Sequence, residues 1–313
     1  SDPAAWRAWA SAVGNTPTLV QLNHAGRQVP RLLNPAPVAP SAIPVAISGA
    51  FATPRALGDE EIELIVRQFG DAAAWAATAG FAGVQVHAAH GYLASQFLSP
   101  RSNHRTDRWG GSLENRMRFL VEVYRAVRAG VGPTAVVSVK LNSADFLRGG
   151  FEEDDALVVA RVLAAEGVDL LEVSGGTYER PQMMLAPSSA AREAHFMDFA
   201  ARLRPQVACP VMLTGGLRTP AVMEQVLREG VADVVGLARP IAVDPDFPAK
   251  ILAGQSAAIV VPPPSGTVGV AGDTLVHQSR LQALGRGQDS SASPAWWLLA
   301  KSGWEMITAR GAG

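Results

Sequence analysis

His87 and His90 stand three residues apart, and Tyr92 follows two further on, at the end of a short apolar run with β-branched residues, GVQV (83–86). A buried strand has this look where its last residues open into a ligand site. Two imidazoles and a phenol around one small volume suit the holding of an anion or a polarised oxygen. The other reading makes His87 and His90 satisfied core or loop histidines. Lys140 is the next residue able to do chemistry, in VSVKLN (137–142), where strand alternation turns it to the same interior side as Ser138. An interior ammonium needs a partner. A cofactor's ring carbonyl or anionic nitrogen would serve, and so would an internal acid such as Glu172. Gly215 and Gly216 follow one apolar run, and Gly236, Leu237, Ala238 and Arg239 follow the next. Such a pair of loops suits a phosphate, with backbone N–H groups facing the anion and Arg239 adding a charged contact, although glycine after a strand is also plain turn chemistry.

These residues need elements to position them. Helical periodicity or capping signals predict helices over 2–13, 59–79, 113–129, 152–166, 193–203 and 220–229. Strands are predicted over 18–22, 83–86, 135–141, 170–173, 210–213 and 233–235. Helix and strand alternate, which implies a parallel sheet with right-handed crossovers. Every polar or glycine-rich cluster falls after a strand, the layout of a barrel with its site at the C-terminal face. The Pro-rich stretch 30–54 reads as a long ordered loop, and with the loop 177–187 it is expected to shape the pocket. Beyond residue 257 the alternation fails. There 261–272 is rich in Pro and Gly, 285–293 reads as a linker, and Trp296, Trp297 and Trp304 belong either to a terminal helix against a surface or second subunit, or to a loose tail. The expected division is therefore a partial barrel over 1–257 and a tail over 258–313.

The 313 residues are 48% hydrophobic, enough for one large α/β barrel or two ordinary domains, and one domain with a tail is the preferred reading. A formal net charge of -1 invites neither nucleic acid nor an anionic membrane as a general partner, and neither is expected. The single cysteine, Cys209, can build neither an internal disulfide nor a thiolate metal cluster. His24 and His104 lack metal-ligand spacing, so His24 is expected to hydrogen-bond in the first loop and His104 to lie at the surface. No stretch is apolar enough to span a bilayer, and a cytoplasmic protein is the default expectation.

The motifs QLNHAGR (21–27), VHAAHGYLASQFLSPRSNHRTDRWGGSLENRMRF (86–119), VKLNSADF (139–146), VSGGTYE (173–179), TGGLRT (214–219) and GLARP (236–240) resemble those of the old yellow enzyme family of FMN-dependent NAD(P)H:flavin oxidoreductases and ene-reductases. The resemblance covers roughly residues 15–255. It implies a TIM (β/α)8 barrel with FMN at the C-terminal face, reduced by NADH or NADPH and reoxidised by an α,β-unsaturated small molecule. By the same resemblance, Gln21 would bond the flavin pyrimidine edge, Lys140 would stand near N1 and O2, and Gly216, Ala238 and Arg239 would hold the phosphate. His87 and His90 would grip a substrate carbonyl, Tyr92 would protonate its α-carbon, and Tyr178 would border the substrate.

Family members open with two strands that have no counterpart here, so six barrel strands and an N-terminally incomplete barrel are expected. Three functional readings follow: an ene-reductase-like flavin oxidoreductase, a non-catalytic truncated barrel, and an aldolase or isomerase barrel using Lys140 as a Schiff-base amine.

Overall fold

The computed structural model describes residues 2–47, 49–180, 193–255, 258–261 and 269–288. Helix α1 (Pro3–Ala12) opens on Asp2, whose side chain accepts the Ala4 N–H at 2.8 Å. Its Trp6 and Trp9 share one face and meet Phe81 edge-on. Strand β1 (Leu19–Leu22) leads into the Pro-rich stretch, where β2 (Val38–Ala39) pairs in parallel with β3 (Arg55–Ala56). Helix α2 (Asp59–Ala79) carries an acidic first turn and stops at Gly80, whose φ of 103° ends the helical path.

The repeat then runs β4 (Gly83–Ala88), α3 (Leu93–Leu98), α4 (Leu113–Val131), β5 (Val136–Asn142), α5 (Glu153–Ala165), β6 (Leu170–Ser174), α6 (Met197–Leu203), β7 (Val211–Thr214), α7 (Pro220–Arg228) and β8 (Val234–Gly236). Helices α8 (Arg239–Val243), α9 (Phe247–Leu252) and α10 (Gly269–Gly285) complete the described chain. Among the described residues the main sheet has six strands, all parallel, in the order β1-β4-β5-β6-β7-β8, with β1 and β8 at its edges. This is the wall of a β/α barrel with six strands, as expected.

Alternation along the strands divides the sheet into two chemical faces. Val20, Leu22, Val84, Val86, Val137, Val139, Leu171, Val173, Val211 and Leu213 are buried in the main apolar core. Each such side chain contributes about 1.5–3 kcal/mol on burial. The alternate positions carry Gln21, Gln85, His87, Ser138, Lys140, Glu172 and Ser174, so the inner face is polar.

Strand β2 lies inside the stretch read as a loop, and β3, α8 and α9 are elements that no sequence signal predicts; three further helices also differ from the expectation. Helix α3 lies between the predicted strand and the helix predicted from 113, where no element is expected, and all six of its residues are buried. Helix α6 begins at Met197 rather than at 193, because Glu193 reaches across to the next loop and Ala194 takes a φ of 55°. Helix α10 begins at Gly269, inside the stretch read as Pro- and Gly-rich, and packs against α8. Trp296, Trp297 and Trp304 lie outside the described residues. Among the described residues no helix is long and apolar enough to cross a membrane.

Helices α2 and α4 meet in backbone contact, since a Cβ on Gly130 would stand 2.3 Å from the Gly70 carbonyl oxygen. Gly130→Val must push the two helices apart. A loss of about 1–3 kcal/mol is expected, read as a lower urea midpoint with an unchanged slope. An unchanged midpoint would contradict this packing.

Candidate active site

The parallel register stacks the inner residues in rungs. Gln21 lies opposite Gln85, and Gln85 opposite Ser138. The rung nearer the C-terminal ends sets His87 beside Lys140 and Lys140 beside Glu172. Lys140 Nζ is 2.8 Å from Glu172 Oε1. The other carboxylate oxygen accepts Gln85 Nε2 at 2.7 Å, and the same nitrogen donates to Ser138 Oγ at 3.0 Å. Gln85 Oε1 in turn accepts Gln21 Nε2 at 2.7 Å. One polar chain thus crosses four adjacent strands. Glu172 is only 5% exposed, whereas Gln21 at the sheet edge is open to solvent. The sequence left two partners open for Lys140, and the internal acid is one that the structure supplies.

Above this chain sit the aromatic groups. The His87 ring centroid is 5.0 Å from those of His90 and Tyr92, edge-on to both. Tyr92 and Tyr178 share a hydrogen bond of 2.7 Å between phenol oxygens. Burial, and then the nearby Lys140 charge, push the His87 pKa down to about 3. Burial, His87 and Lys140 hold His90 well below the usual imidazole range. Both rings are neutral at pH 7. His87 Nδ1 accepts the Ala89 N–H at 3.2 Å, which leaves Nε2 as the protonated, donating nitrogen. His90 Nε2 meets Ser174 Oγ at 2.8 Å. Tyr92 is raised above the ordinary phenol range, by burial first and then by Tyr178.

The backbone at His90 is held in the left-handed region, with φ 60°. Asn142 Oδ1 accepts its N–H at 3.1 Å, and its carbonyl accepts Gln28 Nε2 at 2.9 Å. Arg27, 7% exposed, lies 3.5 Å from Glu179 and donates to the carbonyls of Ile43 and Pro44. Glu179 also accepts the Ala46 N–H at 2.7 Å. The Pro-rich loop and the loop bearing Tyr178 are therefore tied together at the mouth, with the Phe51 ring 6.2 Å from that of Tyr178.

The glycine loops lie at the ends of β7 and β8. A Cβ on Gly236 would stand 1.8 Å from Thr214 Oγ1, an atom that is buried without a hydrogen-bond partner. On Gly215 a Cβ would meet Phe196 at 2.7 Å, and on Gly216 His195 Nε2 at 2.7 Å. Both glycines thus make room for protein rings. Ala238 is exposed, and half-buried Arg239 opens α8. Burial, Arg218 and Arg239 all lower His195, which places that ring within electrostatic reach of both cations.

His24 Nδ1 accepts the Gly26 N–H at 3.0 Å, and His104 is exposed. Among the described residues no cluster of His, Cys, Asp or Glu could hold a metal. Sequence reasoning passed over Gln85, Ser174, Asn142, Glu193 and His195. Gln85 carried a signal, two positions before His87 on the same strand face, and Asn142 and Ser174 stand inside the motifs VKLNSADF and VSGGTYE.

A parallel β/α sheet whose polar side chains converge at the strand C-termini defines the barrel class of cofactor and small-molecule enzymes. The chain belongs to the NADH:flavin oxidoreductase / NADH oxidase family, whose profile matches residues 2–257. It is 42% identical over 272 residues to the NADH-dependent flavin oxidoreductase iliE of Neonectria sp. (strain DH2), covering 78% of this chain and 35% of that one. It is 36% identical over 303 residues to the NADH-dependent flavin oxidoreductase iccE of Talaromyces variabilis, covering 89% of this chain and 70% of that protein. A solved 2-naphthoyl-CoA reductase in complex with 2-naphthoyl-CoA superposes with a TM-score of 0.75 at 29% identity, over 81% of this chain and 40% of that chain. The chain therefore spans about a third of the first relative's length.

The neutral histidines make acid stability a readout of the site. The unfolded chain protonates them below about 6.5, while the folded site resists protonation of His87 down to about 3. The stability they contribute is present above about 6.5 and is lost as pH falls toward 3. The urea midpoint is expected to drop on acidification below about pH 6.5, and His87→Gln with His90→Gln should flatten that drop. His24 and His195, also lowered, add to that slope, and at lower pH so do the carboxylates of Asp59, Glu61, Asp107, Glu166 and Asp244, which their partners hold below the usual range. An identical pH dependence in parent and double variant would contradict the assignment.

Proposed function

We propose that this chain is an FMN-dependent NAD(P)H oxidoreductase that passes hydride to the β-carbon of an activated alkene of the enone type. The observation that carries the reading is the array of two neutral imidazoles and two hydrogen-bonded phenols above a half-buried, ion-paired lysine. The donor set fits a flavin: amides and an ammonium on the inner face for a polar ring edge, and a cation-flanked glycine turn for a phosphate. Gln21 and Lys140 would hold the ring, and Gly215, Gly216, Gly236, Ala238 and Arg239 the phosphate. When bound, FMN would supply the two-electron carrier between NADH or NADPH and the alkene.

The residues of the chain do the rest. Lys140, fixed by Glu172, keeps a positive charge at the centre of the inner face, where it favours negative charge gained on reduction. An amine held in an ion pair is also poorly disposed to attack a carbonyl, which counts against the Schiff-base alternative. His87 and His90 would donate to the substrate carbonyl and draw electron density from the β-carbon. Tyr92 would give its proton to the α-carbon, while Tyr178 holds that phenol in place and borders the substrate. The second reading, a scaffold without turnover, is favoured by the open sheet edges, where Gln21 is exposed and Val234 is 39% exposed.

Titration with FMN separates the two, since the enzyme reading requires uptake with a perturbed visible spectrum and the scaffold reading none. Tyr92→Phe should then slow enone reduction on the order of 10²-fold while NADH bleaches the bound flavin at the parent rate. Equal loss in both half-reactions would contradict the proton-donor role.

A further inference from the structure

Glu193 belongs to none of the motifs above. It opens the four-residue bend that precedes α6, and its carboxylate accepts the backbone N–H of Arg218 at 3.1 Å, the N–H of Thr219 at 2.9 Å, and the Thr219 hydroxyl. Arg218 Nε stands 3.8 Å from the same carboxylate. All of these donors lie in the loop 214–219 between β7 and α7. At the other end of the bend, the His195 N–H donates to the Gly215 carbonyl at 3.2 Å. The His195 ring fills the space beside Gly216, and the Phe196 ring lies against both Gly215 and Gly175. One short bend therefore fixes that loop at both ends, by charged hydrogen bonds at Arg218 and Thr219 and by a backbone bond and two rings at the glycines. The side chains of Glu193 and Arg218 are 15% and 22% exposed, so water competes weakly for these contacts.

We propose that Glu193 is a positioning residue for the flavin phosphate, acting through the loop 214–219 rather than by contact. The inference rests on the FMN reading and goes beyond it by separating the two ends of the cofactor. Without the carboxylate, the Arg218 and Thr219 amides lose their acceptor and the Gly215–Gly216 turn loses its outer brace. The inner face, built from Gln21, Gln85, Lys140 and Glu172 on other strands, is unchanged. Loss of Glu193 should therefore weaken the hold on the phosphate and spare the hold on the ring.

FMN and riboflavin, which differ by the phosphate, are the probes, and their dissociation constants are read from flavin fluorescence. Glu193→Gln should weaken FMN binding about ten-fold, the size of one lost charged hydrogen bond, and leave riboflavin binding at the parent value. Thr219→Val, which removes one donor and no charge, should shift the FMN-to-riboflavin ratio the same way by less, and it carries the test if Glu193→Gln does not fold. Glu224→Gln, exposed on α7, should match the parent. A parent-like ratio in both Glu193→Gln and Thr219→Val overturns the proposal while leaving the FMN reading intact. So does tighter FMN binding by Glu193→Gln, which would make the carboxylate a competitor of the phosphate. A parent protein that takes up neither flavin overturns the FMN reading and this inference with it.

Discussion

The ion pair between Lys140 and Glu172 is the constraint on which the rest of the site depends. Neither charge can be left alone at this depth, and breaking one half of such a pair costs about 3–5 kcal/mol. The pair therefore requires further polar partners, and the neighbouring strands supply them as Gln85, Ser138 and Gln21. Barrel interiors are ordinarily filled by layers of branched apolar side chains. Here the C-terminal rungs are polar instead, and the apolar packing lies on the opposite face beneath the helices. The sheet thus presents a hydrogen-bonding floor with one fixed ion pair.

The same register carries the Lys140 charge to the mouth. His87 shares a rung with Lys140, and the ammonium together with burial keeps both imidazoles neutral. A neutral ring can donate one hydrogen bond while it is itself held by another. His90 is fixed in a left-handed conformation that costs about 1–3 kcal/mol for a residue with a Cβ. Asn142 and Gln28 hold it there from two sides, and the Arg27–Glu179 contact ties the flanking loops around Tyr178. These contacts join four separate strand ends into one rim, which gives Tyr92 a defined position relative to the polar floor.

Much of this was legible in the chain itself. The strand-helix alternation and the polar clusters after strands placed the six strands and the common face of the site. His87, His90 and Tyr92 were readable because two imidazoles and a phenol at that spacing are uncommon at the end of an apolar run. What local pattern could not show was pairing across strands. Lys140 had two chemically reasonable partners, and only the register put Glu172 beside it. Glu193 read as a helix start, because a single-residue φ reversal at Ala194 and a contact to Arg218 and Thr219 leave no periodic trace. Helix α3 was hidden for a similar reason, being short and stabilised by burial rather than by an amphipathic pattern.

The central claim is that a hydride from the nicotinamide reaches the β-carbon while a solvent-derived proton reaches the α-carbon. The most direct measurement follows isotope through one turnover of the FMN-loaded protein with NADH dideuterated at C4 and a cyclic enone, analysed by proton NMR of the saturated ketone. The geometry predicts deuterium at the β-carbon and ordinary hydrogen from water at the α-carbon. Deuterium at the α-carbon, label at neither position, or no saturated product from a protein that has bound FMN would contradict it.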